Sequence, residues 1–209
     1  MPSRAYYEAL WRELPEGLEP SQEALRLDFL LAHVRAGERV LDVGCGEGRF
    51  TAALLDAGAR PLGVDVAEEP LRRARARRPQ LDVRLIDAEG PWRELEDASF
   101  DAVWAGEVIE HVADTGAWLS EVRRVLRSGG SLLLSTPATG PLALMRAALS
   151  RRAFAARFDP QGDHLRFYSA GTLSALIDGF GFERVRVRAA GGPPGARRLL
   201  LAHAVRSRF

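Results

Sequence analysis

The sequence predicts an α/β fold: one doubly wound domain built on a seven-stranded sheet, mostly parallel, with an antiparallel edge strand. Three observations predict it. Apolar runs of strand length alternate with segments of helical periodicity from residue 39 onward. The first run passes straight into a glycine-rich loop and then a helix. The last two runs, 183–189 and 199–205, are joined by a Gly-Pro loop too short for a crossover helix, so they must pair antiparallel. A chain of 209 residues fits a single domain, 1–209, with a sizeable core.

Residues 1–36 read as a helical segment ahead of the sheet. Tyr6, Tyr7 and Trp11 make its start aromatic, suited either to covering a ligand or to anchoring a terminus on the domain. Ser21 is placed to cap a helix whose stripe is Leu27, Leu30, Leu31 and Val34. Val40, Leu41 and Val43 form the first strand, and Gly44, Gly46 and Gly48 follow at alternate positions before Phe50, Ala53, Leu54 and Ala57 recur at helical spacing. Glycines let backbone approach a ligand closely at positive φ, and the free N–H groups at a helix start favour an anionic or acceptor-rich partner. A second strand, Arg60 to Val66, leads into a helix over 67–77; a third, Leu81 to Ile86, ends at Asp87. Phe100 to Ala105 is the fourth. Trp118, Leu119, Val122, Val125 and Leu126 stripe the next helix, and Gly129 to Thr136 is the fifth strand.

The chemistry starts at Asp42, two positions before Gly44. A dinucleotide-binding turn has G-x-G-x-x-G, and here the third glycine comes one residue early. A carboxylate beside such a loop can hold a ligand ammonium, which favours a zwitterionic ligand over a pyrophosphate. Asp65 lies about 20 residues beyond the loop, where a ribose-binding acid belongs. Two carboxylate oxygens match the two donors of a vicinal diol, although capping of the following helix is also open to Asp65. Asp87 reads either as a ligand acid or as an ordinary turn residue.

Taken together, these segments carry a resemblance. Leu41-Asp-Val-Gly-Cys-Gly-Glu-Gly48 resembles motif I of the class I S-adenosylmethionine-dependent methyltransferases. Phe100-Asp-Ala-Val-Trp-Ala followed by Gly106-Glu-Val-Ile-Glu-His-Val112 resembles motif IV, in the methyltransferase type 11 branch that includes ubiquinone-biosynthesis-type O-methyltransferases. His164-Leu-Arg-Phe-Tyr-Ser169 and Gly181-Phe182 match that branch too. The likeness runs from 25 to 206 and is weakest over 137–163. It implies a Rossmann-like fold and S-adenosyl-L-methionine as cofactor, with Gly44, Cys45, Gly46 and Gly48 cradling its methionyl part and Asp65 on the ribose. It further implies Asp87 on the adenine amino group, Ala88 offering N–H to the ring, Val66 on the adenine face, Ala105 and Gly106 toward the methionyl group and methyl, and Arg26 on the cofactor carboxylate. By the same resemblance, 1–36 is a lid and 137–163 a substrate cover. The expected activity is methyl transfer to a small-molecule acceptor by in-line displacement, oxygen being favoured over nitrogen or carbon. The alternative is a non-catalytic cofactor-binding or regulatory domain.

Histidines are the candidate bases because they titrate near neutrality. His111, after motif IV, and His164 are each read either as the base or as a residue that orients its loop; His33 and His203, on a helix and an edge strand, are bystanders. Cys45 is the only cysteine, which excludes an intrachain disulfide and a thiolate cluster, and no metal site is expected. Its small size in a tight loop explains it better than nucleophilic chemistry does.

A net charge of +1 gives no case for bulk nucleic-acid binding. The arginine run Arg72 to Arg78 reads first as a solvated helix face and second as an RNA-facing surface. Residues 140–158 interleave Leu142, Leu144, Met145, Leu149, Phe154 and Phe158 with Arg146, Arg151, Arg152 and Arg157. That pattern fits a helix packed on the sheet, a lid over a hydrophobic acceptor, or a peripheral membrane contact. Without a signal peptide or an apolar stretch of spanning length, the expected location is cytoplasmic.

Overall fold

The computed structural model describes residues 4–157, 159, 162–193 and 197–208. Val40, Leu41 and Val43 are fully buried in β1 (Arg39–Val43), a central strand covered on both faces, as expected for a near-continuous apolar run. It pairs in parallel with β2 (Arg60–Asp65) on one side and β4 (Phe100–Gly106) on the other. Beyond them lie β3 (Val83–Leu85) and β5 (Leu126–Pro137), also parallel. The order is β3-β2-β1-β4-β5-β7-β6, with β6 at Phe182–Ala190 and β7 at Leu199–Arg206. Chain direction reverses only at β7, which runs antiparallel to both neighbours. It therefore lies one strand in from the edge, and His203 stands on this inner strand, where the sequence suggested an edge strand.

The switch in strand order falls between β1 and β4, and the first halves of both crossovers leave from the carboxyl ends of the strands. Open α/β sheets bind ligands in the crevice at that point. Helix α3 (Arg49–Asp56) follows β1 and buries Phe50, Thr51 and Leu54, while α4 (Glu68–Arg77) follows β2 and buries Leu71 and Ala74. Helix α5 (Thr115–Val125) is capped by Asp114, whose carboxylate accepts from Ala117 N–H at 2.9 Å, and buries Trp118, Leu119, Val122 and Val125. Helix α8 (Ala170–Asp178) begins with a reciprocal Ser169–Thr172 capping box.

Three expectations at the amino-terminal side are corrected. Ser21 does not cap α2 (Glu23–Leu31): the N-cap is Gln22, left-handed and without a side-chain cap bond. The buried face of α2 is Arg26, Phe29 and Leu30, while Leu31 is exposed, so the true stripe is rotated by about one position. His33 falls in the turn after α2, outside the helix that the sequence assigned to it.

The described part of 140–158 forms two short helices, α6 (Pro141–Ala148) and α7 (Arg151–Arg157), rather than one amphipathic helix. Leu144, Met145, Leu149 and Phe154 are exposed, so these four are not packed on the sheet. Phe158, and the side chains of Leu142, Arg146 and Arg157, lie outside the described residues.

Candidate active site

The glycine loop turns from β1 into α3 with Gly44, Gly46 and Gly48 all at positive φ, 69°, 53° and 72°. A Cβ at Gly44 would stand 2.6 Å from Val108 Cγ2, and one at Gly48 would stand 2.9 Å from Leu81. Gly46 is crowded by the indole of Trp11, at 3.0 Å. The loop is closed by backbone bonds from Gly44 and Cys45 N–H to Val64 O, at 2.8 and 3.0 Å. Cys45 points into the protein against Gly63, and burial, with Asp42 nearby, raises its thiol pKa. It is an inert packing residue, as its size suggested.

Two adjoining hollows share this loop. The larger, ≈ 560 Å³, is lined by Gly44, Asp65, Val66, Asp87, Ala88 and, across the gap, Tyr7, Trp11 and His111. The smaller, ≈ 300 Å³, continues past Gly44 and Gly46 to Arg26, Asp42 and Gly106. Of the predicted cofactor residues, Gly48 and Ala105 line neither hollow: Gly48 faces Leu81 and Ala74, and the Ala105 side chain is fully buried in the core, so the strand-end lining begins at Gly106.

Charge is arranged at the two ends. Asp65 accepts from Gly46 N–H at 2.9 Å through Oδ2 and from Ala67 N–H at 3.0 Å through Oδ1. It therefore ties the glycine loop to the start of α4, and its remaining lone pairs are available to a diol. Burial raises its pKa, opposed by those backbone bonds. Asp87 accepts from Glu89 N–H at 2.9 Å, an Asx turn, while still lining the cavity.

At the other end, Asp42 is 2% exposed and accepts from Thr51 Oγ1 at 2.6 Å; burial pushes its pKa up to about 7. Arg26, equally buried, lies over the rings of Phe50 and Trp104 at 4.7 and 5.9 Å and bonds Ser21 O at 3.3 Å, with its buried Nε unpartnered. An unpartnered guanidinium N–H beside a raised carboxyl suits a ligand bearing both a carboxylate and an ammonium.

Helix α1 (Arg4–Glu13) covers the cavity. Glu8 accepts from Glu68 N–H at 2.8 Å, capping α4, and Arg73 of α4 donates to Trp11 O at 2.6 Å and Leu14 O at 3.0 Å at the far end of α1. Arg73 is itself buried against Glu69 (2.8 Å) and Glu47 (3.2 Å), and Glu47 Oε2 accepts from Gly17 N–H at 2.9 Å. The arginine run is thus explained. Arg72, Arg73, Arg75, Arg77 and Arg78 are all ion-paired to acids; Arg72, Arg75 and Arg77 lie on an exposed face, as the first reading of the run has it, while Arg73 points inward.

His111 lies on the cavity wall beneath Tyr7, ring centroids 6.3 Å apart, and its Nδ1 is 3.0 Å from Asp163 O. Burial lowers its pKa. His164 stacks edge-on against it at 4.8 Å from an exposed position. His33 and His203 pair with each other at 4.7 Å, away from the glycine loop. Reading of the sequence missed Glu107, which lines both hollows at φ 59°, and Glu110, 1% exposed. Their i, i+3 spacing just after a strand was the available signal.

Residues 41–134 match the family profile described as a methyltransferase domain. A probable S-adenosylmethionine-dependent methyltransferase of Mycolicibacterium smegmatis is 38% identical over 156 residues, 73% of this chain and 55% of that protein. This is an S-adenosylmethionine-dependent methyltransferase domain. The ubiquinone biosynthesis O-methyltransferase of Xanthomonas oryzae pv. oryzae is 37% identical over 145 residues, 67% of this chain and 60% of that one. The chain thus spans 55 to 60% of the length of these curated relatives. In fold, the methyltransferase domain is similar to a Burkholderia thailandensis 1,6-didemethyltoxoflavin-N1-methyltransferase solved with S-adenosylhomocysteine, at TM-score 0.72 and 19% identity, covering 98% of this chain and 87% of that one. Among the described residues, no helix is long and apolar enough to cross a membrane.

Proposed function

We infer that this protein transfers the methyl group of S-adenosylmethionine to an oxygen of a small-molecule acceptor. The observation that carries the reading is the division of labour along one continuous cavity. Arg26 and Asp42 form a zwitterion-matching end, Gly44 and Gly46 form a side-chain-free floor, and Asp65, Val66, Asp87 and Ala88 form a nucleoside-matching end. Preference for oxygen rests on the ubiquinone biosynthesis O-methyltransferase likeness and on the histidines and carboxylates after β4.

When bound, the cofactor supplies an electrophilic sulfonium methyl whose leaving group departs as a neutral thioether. The chain's own residues then have two tasks. Tyr7, Leu10, Trp11 and Leu14 of the amino-terminal segment close over the cavity and exclude water, which we read as a lid. His111, kept neutral by burial, holds its Nε2 free to take a proton from a hydroxyl, because Nδ1–H donates to Asp163 O. Residues 137–163 are the proposed acceptor cover, with the exposed apolar residues of α6 and α7 available to a hydrophobic acceptor or a membrane surface.

The deciding experiment is methyl transfer from labelled cofactor into a metabolite extract, beside calorimetry with S-adenosylmethionine, S-adenosylhomocysteine and NAD. Labelled product with an O-methyl group is expected. Tight binding of the cofactor pair with no transfer to any fraction would move the protein to a binding-only role. NAD binding alone would overturn the reading.

A further inference from the structure

Glu47 stands between Gly46 and Gly48 in the loop that floors the cavity, yet its side chain is only 4% exposed. A buried carboxylate must be matched by donors and by opposite charge, and here all of them come from outside the loop. Oε2 accepts from Gly17 N–H at 2.9 Å, in the chain that leaves α1, and pairs with Arg77 Nη1 at 2.9 Å. Oε1 accepts from Arg73 Nη1 at 3.2 Å. Arg73, 5% exposed, directs its other N–H groups to Glu69 Oε1 at 2.8 Å, Leu14 O at 3.0 Å and Trp11 O at 2.6 Å.

The same loop meets α1 from the cavity side. A Cβ at Gly46 would stand 3.0 Å from the indole of Trp11, and Trp11 lines both hollows. Glu47 therefore joins the backbone beneath the cofactor cavity to the carboxyl-terminal end of the helix that covers it. Arg49, on the other side of Gly48, adds a second tie through two bonds to Glu23 of α2, at 2.8 and 2.9 Å. Lifting α1 takes the Trp11 and Leu14 carbonyls from a buried guanidinium and the Gly17 N–H from a buried carboxylate. A shift of the loop strains the same bonds from the other end. Groups held in one such network do not respond independently.

We propose that Glu47 is a positioning residue for methyl transfer, acting through Gly17 and Arg73 to link filling of the glycine loop by the cofactor to closure of α1 over it. The link rests on the placing of the cofactor along this cavity given above. It is reciprocal: if closure of α1 raises cofactor affinity, the bound cofactor favours closure to the same extent.

The experiment is amide hydrogen exchange of residues 4–17 with and without saturating S-adenosylhomocysteine, beside calorimetry of its binding. Both are run on the full chain as wild type, Glu47→Gln, Arg73→Gln and the double variant. In wild type, bound S-adenosylhomocysteine is expected to slow exchange across 4–17. In Glu47→Gln that ligand-dependent slowing should shrink and the affinity should fall at least about fivefold. The double variant should bind no more weakly than the weaker single one, because both substitutions break one link. A static anchor gives a different pattern: faster exchange in the variants, an unchanged ligand-dependent slowing, and losses that multiply in the double variant. That pattern would overturn the link. Glu47→Asp keeps the charge beside Arg73 and Arg77 but draws the carboxylate back by one methylene, so it carries the test if Glu47→Gln fails to fold. Wild-type slowing and affinity in Glu47→Asp would also count against the link. Binding of S-adenosylhomocysteine to wild type with no effect on 4–17 removes the link alone, whereas no binding at all removes the placing of the cofactor with it.

Discussion

At the scale of single residues, the cavity is governed by buried carboxylates whose polar bonds serve both fold and ligand. Asp65 binds Gly46 and Ala67 N–H and also faces the cavity, so Asp65→Ala should weaken S-adenosylhomocysteine binding by about 1.5–3 kcal/mol, the loss of hydrogen bonds to a charged group. Isothermal calorimetry measures it; an unchanged affinity would remove Asp65 from the ribose site. Asp42 allows a pH test. Its pKa is raised from 3.8 to about 7 in the folded chain, chiefly by burial. The fold therefore binds this proton more tightly than the unfolded chain does. The resulting stabilisation is complete below pH 3.8 and is lost as pH rises through 7. Scanning calorimetry of the cofactor-free protein should show a melting temperature that falls between pH 6 and 8, with a shallower fall in Asp42→Asn. Binding of a ligand ammonium needs the ionised carboxylate, so cofactor affinity should rise over the same interval.

At the scale of elements, α1 is held to the domain by its ends rather than by a buried face. None of its residues is fully buried, while Glu8 caps α4 and Arg73 binds two of the last carbonyls. An element tied by a few polar bonds opens at lower free energy than the core does. Arg73→Gln should therefore speed amide hydrogen exchange across residues 4–14 and accelerate release of S-adenosylhomocysteine, with little change in the exchange of β1 and β4. Protection equal to wild type would show that the aromatic contacts alone dock α1. Sequence reasoning read this segment as an aromatic cover or a terminal anchor, because aromatic clustering is visible in one dimension. The anchor was not legible: Arg73 sits in a run of arginines that looks uniformly solvated, and only the rotation of α4 decides which one turns inward.

At the scale of the molecule, β7 closes the sheet. Leu199, Leu200 and Leu201 are all at most 2% exposed between β5 and β6. Burying three leucines is worth about 4.5–9 kcal/mol, comparable to the whole stability of a domain. A chain ending at Gly191 should consequently lack a cooperative unfolding transition in urea, and a two-state transition in that chain would show the β5 edge to be self-sufficient.

What the sequence determined by itself is local and periodic. Strands β1 to β7, the alternating glycines, the acids at 42, 65 and 87 and the α5 stripe all follow from residues within a few positions of one another, where pattern and backbone sterics act directly. Helix starts were less legible, as the left-handed Gln22 in place of Ser21 illustrates, because capping depends on the entry path of the chain. Only the tertiary structure decided the rest. It put β7 inside the edge, turned Arg73 inward, broke 140–158 into two helices, and set His164 against Glu110 and His111 across more than fifty residues of chain. Those outcomes depend on which surfaces must be buried together and which buried polar atoms must find partners, and neither requirement can be read before the elements meet.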